Sequence, residues 1–240
     1  MSDTQRLSIP QAILIAGVLI AGAVLVSSLR SSTVAQAPGN ESGAEVANEP
    51  ADSANSLGLV LPADPAIDHI RGNQDAQITI YEYSDIDCPF CKRFHDTLRT
   101  VVDEYEEVRW VYRHLPLEGL HPEAFEKAVI TECVFAQAGP EVFWAVLDQM
   151  YDAPGPLARL PDYVEQYGLD ARVYATCLES EAARARVERD MANAFATRGS
   201  TQIGTPWSII ELPDGSHIPF SGAQPLSVLR GVIDSILAQN

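Results

Sequence analysis

The stretch from Ile78 to His95, ITIYEYSDIDCPFCKRFH, constrains the fold of this 240-residue chain more than any other part of the sequence. Residues 78–83 are almost all β-branched or aromatic, which predicts a buried strand. After Cys88 the apolar residues recur at helical spacing, and Pro89 suits a first turn, so we expect a helix from Pro89 to about Tyr105. The pair Cys88 and Cys91, in a C-x-x-C motif, is therefore expected where a strand passes into a helix.

This position has a chemical consequence for Cys88. A sulfur at a helix N-terminus faces unpaired backbone N–H groups and the positive end of the helix dipole, and both favour thiolate over thiol. Because the thiolate is the reactive form, Cys88 is the expected nucleophile. Cys91 lies one turn further into the helix and is the expected resolving thiol. The two residues would then form a dithiol that closes to a disulfide and reopens.

A C-x-x-C pair also occurs in zinc and copper sites, so the motif alone leaves a choice. Zinc usually needs two further ligands at short spacing, such as a second C-x-x-C or an H-x-x-x-H, and the sequence contains neither. We therefore favour redox chemistry, which needs no cofactor because the dithiol carries the electrons, and we expect no metal. A copper-delivery module and a scaffold that only binds polypeptide remain as alternatives.

The net charge excludes one large class of partner. The chain carries 33 acidic and 16 basic residues, a formal charge of −17. Such a surface repels nucleic acid, and no basic patch with interleaved aromatic residues is visible in the sequence. A solvated acidic surface that maintains solubility is the simpler interpretation.

The N-terminal segment bears on the compartment. From Ile9 to Leu29 the chain has no charged residue, and about 20 apolar residues suffice to cross a bilayer. We expect residues 1–30 to form a transmembrane anchor. A cleaved signal peptide is the alternative, since Ala35-Gln36-Ala37 resembles a cleavage site. Residues 31–63 read as a flexible linker, and the domain that follows would lie outside the cytoplasm, periplasmic in a Gram-negative bacterium.

The globular domain is expected over residues 64–240. The segment Leu57 to Gln77 is expected to be an irregular lead-in, with a short strand at Leu59 to Leu61 and a turn around Arg71-Gly72-Asn73. A second strand from Val108 to His114 should pair in parallel with the first, as in a βαβ unit. A helical insertion is expected over about residues 121–198. Its helices are predicted at 122–138, 141–151, 161–167, 171–178 and 181–198. A hairpin of 207–212 and 217–220, with Pro219 on the edge strand, precedes a final helix from Pro225 to Ala238.

This order of elements matches a thioredoxin fold with an inserted helical subdomain. Together with the pattern Glu82-x5-Cys88-Pro89-Phe90-Cys91-Lys92-x-Phe94-His95, it resembles the DsbA-like extracytoplasmic thiol-disulfide oxidoreductases. The segment Tyr112 to Leu117 (YRHLPL) and His121-Pro122 add to the resemblance, which extends from about Asp64 to the C-terminus. The fold class implied is α/β, preceded by the transmembrane helix and the tether.

The resemblance implies roles for three further residues. Thr205-Pro206 fits the cis-proline loop that packs against the cysteine pair, and its backbone would bind substrate polypeptide as an added strand. Glu82 occupies the place of an acidic residue that transfers protons to or from the buried cysteine, and burial would raise its pKa.

Four residues near the pair carry their own expectations. Phe90 stands where the best-known members have histidine, which removes a donor to the thiolate. Asp85 and Asp87 are expected on an exposed loop, where their charge would oppose thiolate formation. His95 is expected to be a packed or surface helix residue.

The other two cysteines, Cys133 and Cys177, are 44 residues apart on the apolar stripes of predicted helices. In an oxidising compartment we expect a structural disulfide between them, with two separately buried thiols as the alternative.

The function expected from these features is exchange of disulfides with cysteines of exported proteins, recycled by a membrane redox partner. A reductase or isomerase of the same fold is the nearest alternative.

Overall fold

The computed structural model describes residues 60–157, 161–198 and 204–239. The expected anchor and most of the expected linker, residues 1–59, lie outside these ranges. Among the residues described, no helix combines the length and apolar character needed to cross a membrane. Val60 is buried, and the backbone carbonyl of Leu61 accepts a hydrogen bond from Arg113.

Five strands and six helices make up the described part of the domain. The strands are β1 (His69–Gly72), β2 (Ile78–Ser84), β3 (Val108–His114), β4 (Trp207–Glu211) and β5 (His217–Ser221). The helices are α1 (Pro89–Glu104), α2 (Ala124–Asp152), α3 (Pro161–Gln166), α4 (Ala171–Leu178), α5 (Glu181–Arg198) and α6 (Leu226–Leu237). Apart from the helices predicted at 122–138 and 141–151, which are joined in α2, the predicted elements from Ile78 onward are confirmed to within about two residues at each end.

The strands form one sheet in the order β1-β3-β2-β4-β5. β2 and β3 are parallel, as the βαβ prediction requires, whereas β4 pairs antiparallel with β2 and β5 antiparallel with β4. The strand that contains Pro219 lies at the edge, as predicted. This arrangement confirms the expected thioredoxin-like α/β fold with a helical insertion.

Side chains on β2 alternate between two cores because successive residues of a strand point to opposite faces. Ile78 and Ile80 face the core built with α1, α2 and α6, while Tyr81 and Tyr83 face a second core that includes Ala194 of α5. By the same alternation Glu82 and Ser84 point to the α1 side. This register brings two polar residues beneath the cysteine pair.

The lead-in differs from the prediction in two ways. Val60 and Leu61 are not in a strand, whereas residues 69–72 form β1 and pair antiparallel with β3. Gly72, which the sequence placed in a turn, ends this strand at a positive φ of 99°, and a Cβ there would approach the Val108 carbonyl oxygen to 2.8 Å. The turn begins one residue later, at Asn73.

The long helix α2 also differs from the prediction, because it is one helix where the sequence predicts two. The sequence predicts two helices separated near Gly139, and the structure joins them as one element with a kink at Gly139, whose φ is 78°. Pro140 follows within the helix, where it lacks a backbone donor and breaks regular geometry. The two predicted helices are thus the two arms of α2.

Candidate functional site

The two cysteines of the motif lie at the start of α1, and both are free thiols. Cys88 is the N-cap residue with an extended backbone, and Pro89 follows in the first turn. Its side chain is 6% exposed, whereas Cys91 is fully buried. The sequence predicted this placement, and the difference in exposure leaves Cys88 as the sulfur that a second molecule can reach.

The environment separates the acidities of the two thiols. A hydrogen bond from Cys91 lowers the pKa of Cys88 to about 5, with further donors in the Thr205 hydroxyl and the backbone N–H groups of Cys91 and Phe90 outweighing the cost of burial. Burial raises the pKa of Cys91 well above its ordinary value, and the neighbouring Cys88 and Glu82 add to the rise. Cys88 is therefore the thiolate and Cys91 the thiol at neutral pH.

The loop before β4 faces this thiolate. The Thr205-Pro206 peptide bond is cis, and the Cys88 Sγ lies 3.6 Å from the Thr205 carbonyl oxygen. Among the described residues, the buried Thr205 hydroxyl forms no hydrogen bond, and its proximity to the Cys88 sulfur helps to lower the pKa of that thiol. The structure thus places Thr205-Pro206 beside the cysteine pair, where the resemblance located it.

Glu82 is completely buried on β2 beneath α1. Burial raises the pKa of Glu82 to about 8, although the hydrogen bond from Ser84 acts in the opposite direction. A carboxyl group with this pKa is mostly protonated at neutral pH, so it is suited to give or take a proton.

The expectation for Asp85 is wrong, since its side chain is buried. Asp85 Oδ2 accepts from the backbone N–H of Leu117 at 2.7 Å and lies 2.9 Å from Nδ1 of His121. Asp87, which is partly exposed, lies 2.5 Å from the ammonium group of Lys127. Both carboxylates are thus paired with donors from the segment after β3 and from α2, which reduces the opposition to a Cys88 thiolate that the sequence suggested.

His95 is packed rather than exposed. Its side chain is fully buried, and Nε2 lies 2.7 Å from Asp148 Oδ1 of α2. Burial lowers the pKa of His95 despite this carboxylate. The contact links α1 to the helical insertion and does not reach the cysteine sulfurs.

The sequence missed two residues next to the site. Ser84 Oγ donates to Glu82 Oε1 at 2.7 Å, and Lys127 is paired with the residue that precedes Cys88. The two-residue spacing of Glu82 and Ser84, which puts them on one face of β2, was a signal for the first. Lys127 lies 39 residues after Cys88 on another helix, and local pattern gave no signal for it.

The structure joins Cys133 of α2 and Cys177 of α4 by a disulfide. This bond lies within the helical insertion and is separate from the Cys88 and Cys91 pair. It corresponds to the pairing expected for an oxidising compartment.

A second titratable cluster lies away from the cysteine pair and consists of His69, His114 and Glu132. Glu132 Oε1 lies 2.6 Å from His69 Nε2 and 3.3 Å from His114 Nε2, and all three side chains are buried. Histidines that bind metal usually donate their second ring N–H to a partner, but within the described ranges neither Nδ1 atom has one. The cluster therefore fits a buried hydrogen-bonded carboxylate better than a metal centre.

Comparison with known proteins places the site in context. Residues 66–211 match the family model described as thioredoxin. The crystal structure of Pseudomonas aeruginosa DsbA2 superposes with a TM-score of 0.61 at 29% identity and covers 72% of this chain and 94% of that one. Wolbachia pipientis α-DsbA1 superposes at 0.63 with 21% identity, covering 75% of this chain and 94% of that one, and shares the fold.

Curated sequence relatives match a shorter part of both chains. A Na⁺/H⁺ antiporter NhaA of Herminiimonas arsenicoxydans is 39% identical over 148 residues, which is 59% of this chain and 22% of the antiporter. NhaA 1 of Salinispora arenicola is 32% identical over 152 residues, again 22% of its length and 62% of this chain. Because this chain spans about a fifth of each relative, their transport activity is not transferred to it.

Proposed function

Because this chain belongs to the thioredoxin family, we propose that it is a thiol-disulfide oxidoreductase acting on cysteines of exported proteins. The observation that carries the proposal is the asymmetry of the pair: Cys88 is the more exposed sulfur and the stronger acid, and Cys91 is buried and the weaker acid. A substrate thiolate would attack the Cys88 sulfur of the closed disulfide. Cys91 would leave, and a second substrate thiolate would then release Cys88.

The acidity of Cys88 also favours a direction. A stabilised thiolate lowers the free energy of the reduced form, so the disulfide form becomes a better oxidant. The pKa of Cys88 is lowered even though Phe90, and not histidine, lies between the cysteines, because the Cys91 thiol, the Thr205 hydroxyl and backbone N–H groups stabilise the thiolate. We therefore propose disulfide donation, with reductase or isomerase activity as the competing direction.

Substrate polypeptide would bind along the cis-proline loop, where the Thr205 backbone borders the Cys88 sulfur. The proposed location is extracytoplasmic, with residues 9–29 as a membrane anchor and a membrane redox partner that recycles the dithiol. The Cys133–Cys177 disulfide supports an oxidising compartment. A periplasmic thioredoxin-like protein of Salmonella enterica serovar Typhimurium shares the fold, at a TM-score of 0.53 and 22% identity over 75% of this chain and 94% of that one.

The test is the reduction potential of the Cys88 and Cys91 pair. The full-length chain in mild detergent is equilibrated with glutathione buffers, and free thiols are trapped and counted. A potential of about −200 mV or higher supports a disulfide donor, and a value of about −270 mV identifies a reductase or isomerase instead.

Two variants complete the test. Cys91→Ser is expected to trap a mixed disulfide between Cys88 and a reduced unfolded protein, whereas Cys88→Ala is expected to abolish exchange. Absence of a reversible disulfide in the wild-type protein overturns the proposal, and tight metal binding in that case would identify a metal-binding module. Full function of Cys88→Ala would identify a polypeptide-binding scaffold.

A further inference from the structure

Asp85 is the first residue after β2, and its three oxygen atoms all accept hydrogen bonds. Its backbone carbonyl accepts from the Cys88 N–H at 3.1 Å, and Oδ1 accepts from the Asp87 N–H at 2.8 Å, which closes the turn that leads into α1. Oδ2 accepts from the Leu117 N–H at 2.7 Å and lies 2.9 Å from Nδ1 of His121. A carboxylate can only accept, so His121 is the donor in this pair.

The remaining polar atom of Asp85, its backbone nitrogen, donates to the Cys91 sulfur at 3.4 Å. Because β2 ends at Ser84, this N–H lies beyond the paired residues of β2 and β3. Asp85 and Cys91 are both buried, so bulk water does not solvate a negative charge on this sulfur. A donor held against the sulfur replaces part of that solvation.

The Asp85 carboxylate has more partners than its turn requires. The turn uses only the bond from the Asp87 N–H to Oδ1, whereas Oδ2 takes two donors from the segment after β3. A buried charge is costly unless it is paired, so the side chain is held where those donors lie. The segment after β3 therefore fixes the Asp85 backbone relative to Cys91.

We propose that Asp85 is a positioning residue for Cys91: its carboxylate, held by Leu117 and His121, keeps the Asp85 N–H against the Cys91 sulfur when that sulfur becomes a thiolate. The inference rests on the proposed function. When a substrate thiolate bonds to the Cys88 sulfur, the Cys88–Cys91 bond breaks and its electron pair goes to the Cys91 sulfur. The attacking sulfur is oxidised, the Cys91 sulfur is reduced, and no proton moves in this step. The Asp85 N–H stabilises the departing thiolate, and a more stable thiolate leaves faster.

Two effects of Asp85 on Cys91 have opposite signs, which makes the role measurable. The carboxylate charge disfavours a nearby thiolate, so a purely electrostatic role predicts that removal of the charge speeds the opening of the disulfide. Loss of the positioned N–H slows the opening instead. Asp85→Asn keeps one oxygen for the Asp87 N–H and replaces the other by an amide NH₂, which cannot accept from Leu117 or His121.

The test follows the opening of the oxidised full-length chain in mild detergent by excess dithiothreitol at pH 7. Samples are quenched with acid and alkylated, and free thiols are counted by mass. Asp85→Asn is expected to open about tenfold more slowly than wild type. Asp214→Asn removes one negative charge from an exposed turn in which Oδ1 also accepts a backbone N–H, and this matched control is expected to open at the wild-type rate. Opening of Asp85→Asn at the wild-type rate or faster rejects the positioning role.

His121 separates anchoring from charge and also decides the question if Asp85→Asn does not fold. Its side chain is 21% exposed, and within the described ranges it forms no hydrogen bond to either cysteine. His121→Asn keeps a donor near the position of Nδ1, whereas His121→Leu has none, and both variants are neutral. His121→Leu is expected to open about three- to tenfold more slowly than His121→Asn. Equal rates in this pair overturn the inference.

Two further measurements on the His121 pair distinguish positioning from a general loosening of the turn. Alkylation of Cys88 by iodoacetamide in the reduced protein does not involve departure of Cys91, so its rate is expected to agree within about twofold. The reduction potential is also expected to agree, because burial keeps Cys91 a thiol in the reduced protein and the N–H acts mainly on the transient thiolate. A fall in Cys88 alkylation as large as the fall in opening indicates a displaced turn and overturns the inference.

The wild-type chain separates this inference from the proposed function. A wild-type chain without a disulfide that dithiothreitol opens and oxidised glutathione restores rejects the proposed function itself. Reversible opening of the wild type at a rate that the Asp85 and His121 variants share rejects only the positioning role.

Discussion

At the scale of single residues, the site depends on which donors face the Cys88 sulfur. The helix N-terminus supplies backbone N–H groups to any residue at this position, but the Thr205 hydroxyl arrives from a loop 117 residues away in sequence. A hydrogen bond to a charged group contributes about 1.5–3 kcal/mol, and one pKa unit corresponds to about 1.4 kcal/mol. The Thr205 side chain is therefore able to set a large part of the Cys88 acidity.

We predict that Thr205→Val raises the pKa of Cys88 by about 1–2, because valine fills the same space without the donor. Thiolate absorbance near 240 nm, followed against pH in the reduced protein, measures the change. The reduction potential should fall in parallel, since the reduced form loses stabilisation. Thr131→Val, which removes a buried hydroxyl from the helical insertion, is the control. An unchanged Cys88 pKa in Thr205→Val contradicts this role.

Residue-level expectations succeeded where a local rule applied and failed where a partner came from elsewhere. The extended strand and amphipathic helix around Cys88 were readable because their periodicities are local. The burial of Asp85 was not, because its donors are Leu117 and His121 beyond β3. Burial of an unpaired carboxylate is costly, so an aspartate such as Asp85 is expected to be exposed unless its distant hydrogen-bond partners are known.

At the scale of elements, a buried ionic network ties the sheet to α5. Arg113 of β3 is buried and lies 3.0 Å from Asp68 Oδ2, and it also donates to Asn193 of α5 at 2.8 Å. Removal of one partner of a buried pair leaves an uncompensated charge and costs about 3–5 kcal/mol. We predict that Arg113→Met lowers the free energy of unfolding by about this amount.

Urea unfolding measures the Arg113 prediction. The double variant Arg113→Met with Asp68→Asn is the informative control, because it removes both charges and should recover part of the loss. Arg109→Met, at a partly buried arginine on the same strand, should cost far less. A loss under about 1 kcal/mol in Arg113→Met would show that the network contributes little to stability.

The Cys133–Cys177 disulfide closes a loop that includes part of α2, the whole of α3 and most of α4. Cross-linking residues 44 apart restricts the unfolded chain and is worth about 4 kcal/mol on the chain-entropy model. We predict that Cys133→Ala with Cys177→Ala lowers the free energy of unfolding by about 2–4 kcal/mol while the Cys88 and Cys91 potential stays unchanged. A shifted potential would indicate that the insertion tunes the site.

At the scale of the whole molecule, two cores on opposite faces of one sheet explain why most of the fold was predictable. Helices α1, α4 and α6 each offer a periodic apolar stripe, and β2 supplies residues to both cores. Strand β1 was missed because its four residues, HIRG, include two that carry polar side chains and end at a glycine. It becomes a strand because β3 offers a free edge, which a local pattern does not reveal.

The buried Glu82 gives the whole molecule a pH dependence. Its pKa rises from 4.5 to about 8 on folding, so the native state keeps a proton that the unfolded state loses. The stability that this proton provides is complete below pH 4.5 and is lost as the pH rises to about 8. Glutamine keeps the shape of the protonated carboxyl group and does not ionise, so Glu82→Gln removes the dependence.

We therefore predict that Glu82→Gln matches wild type near pH 4.5 and is more stable at pH 8.5, by up to about 5 kcal/mol, as follows from the raised pKa of Glu82. Urea unfolding of the oxidised protein at both pH values tests this, because the closed disulfide removes the titration of Cys88 and Cys91. Glu118→Gln, at an exposed position, controls for the loss of one negative charge. If the variant and the wild type differ in free energy of unfolding by the same amount at both pH values, Glu82 ionises freely in the folded protein. Glu82 would then not hold a proton beneath the cysteine pair at neutral pH.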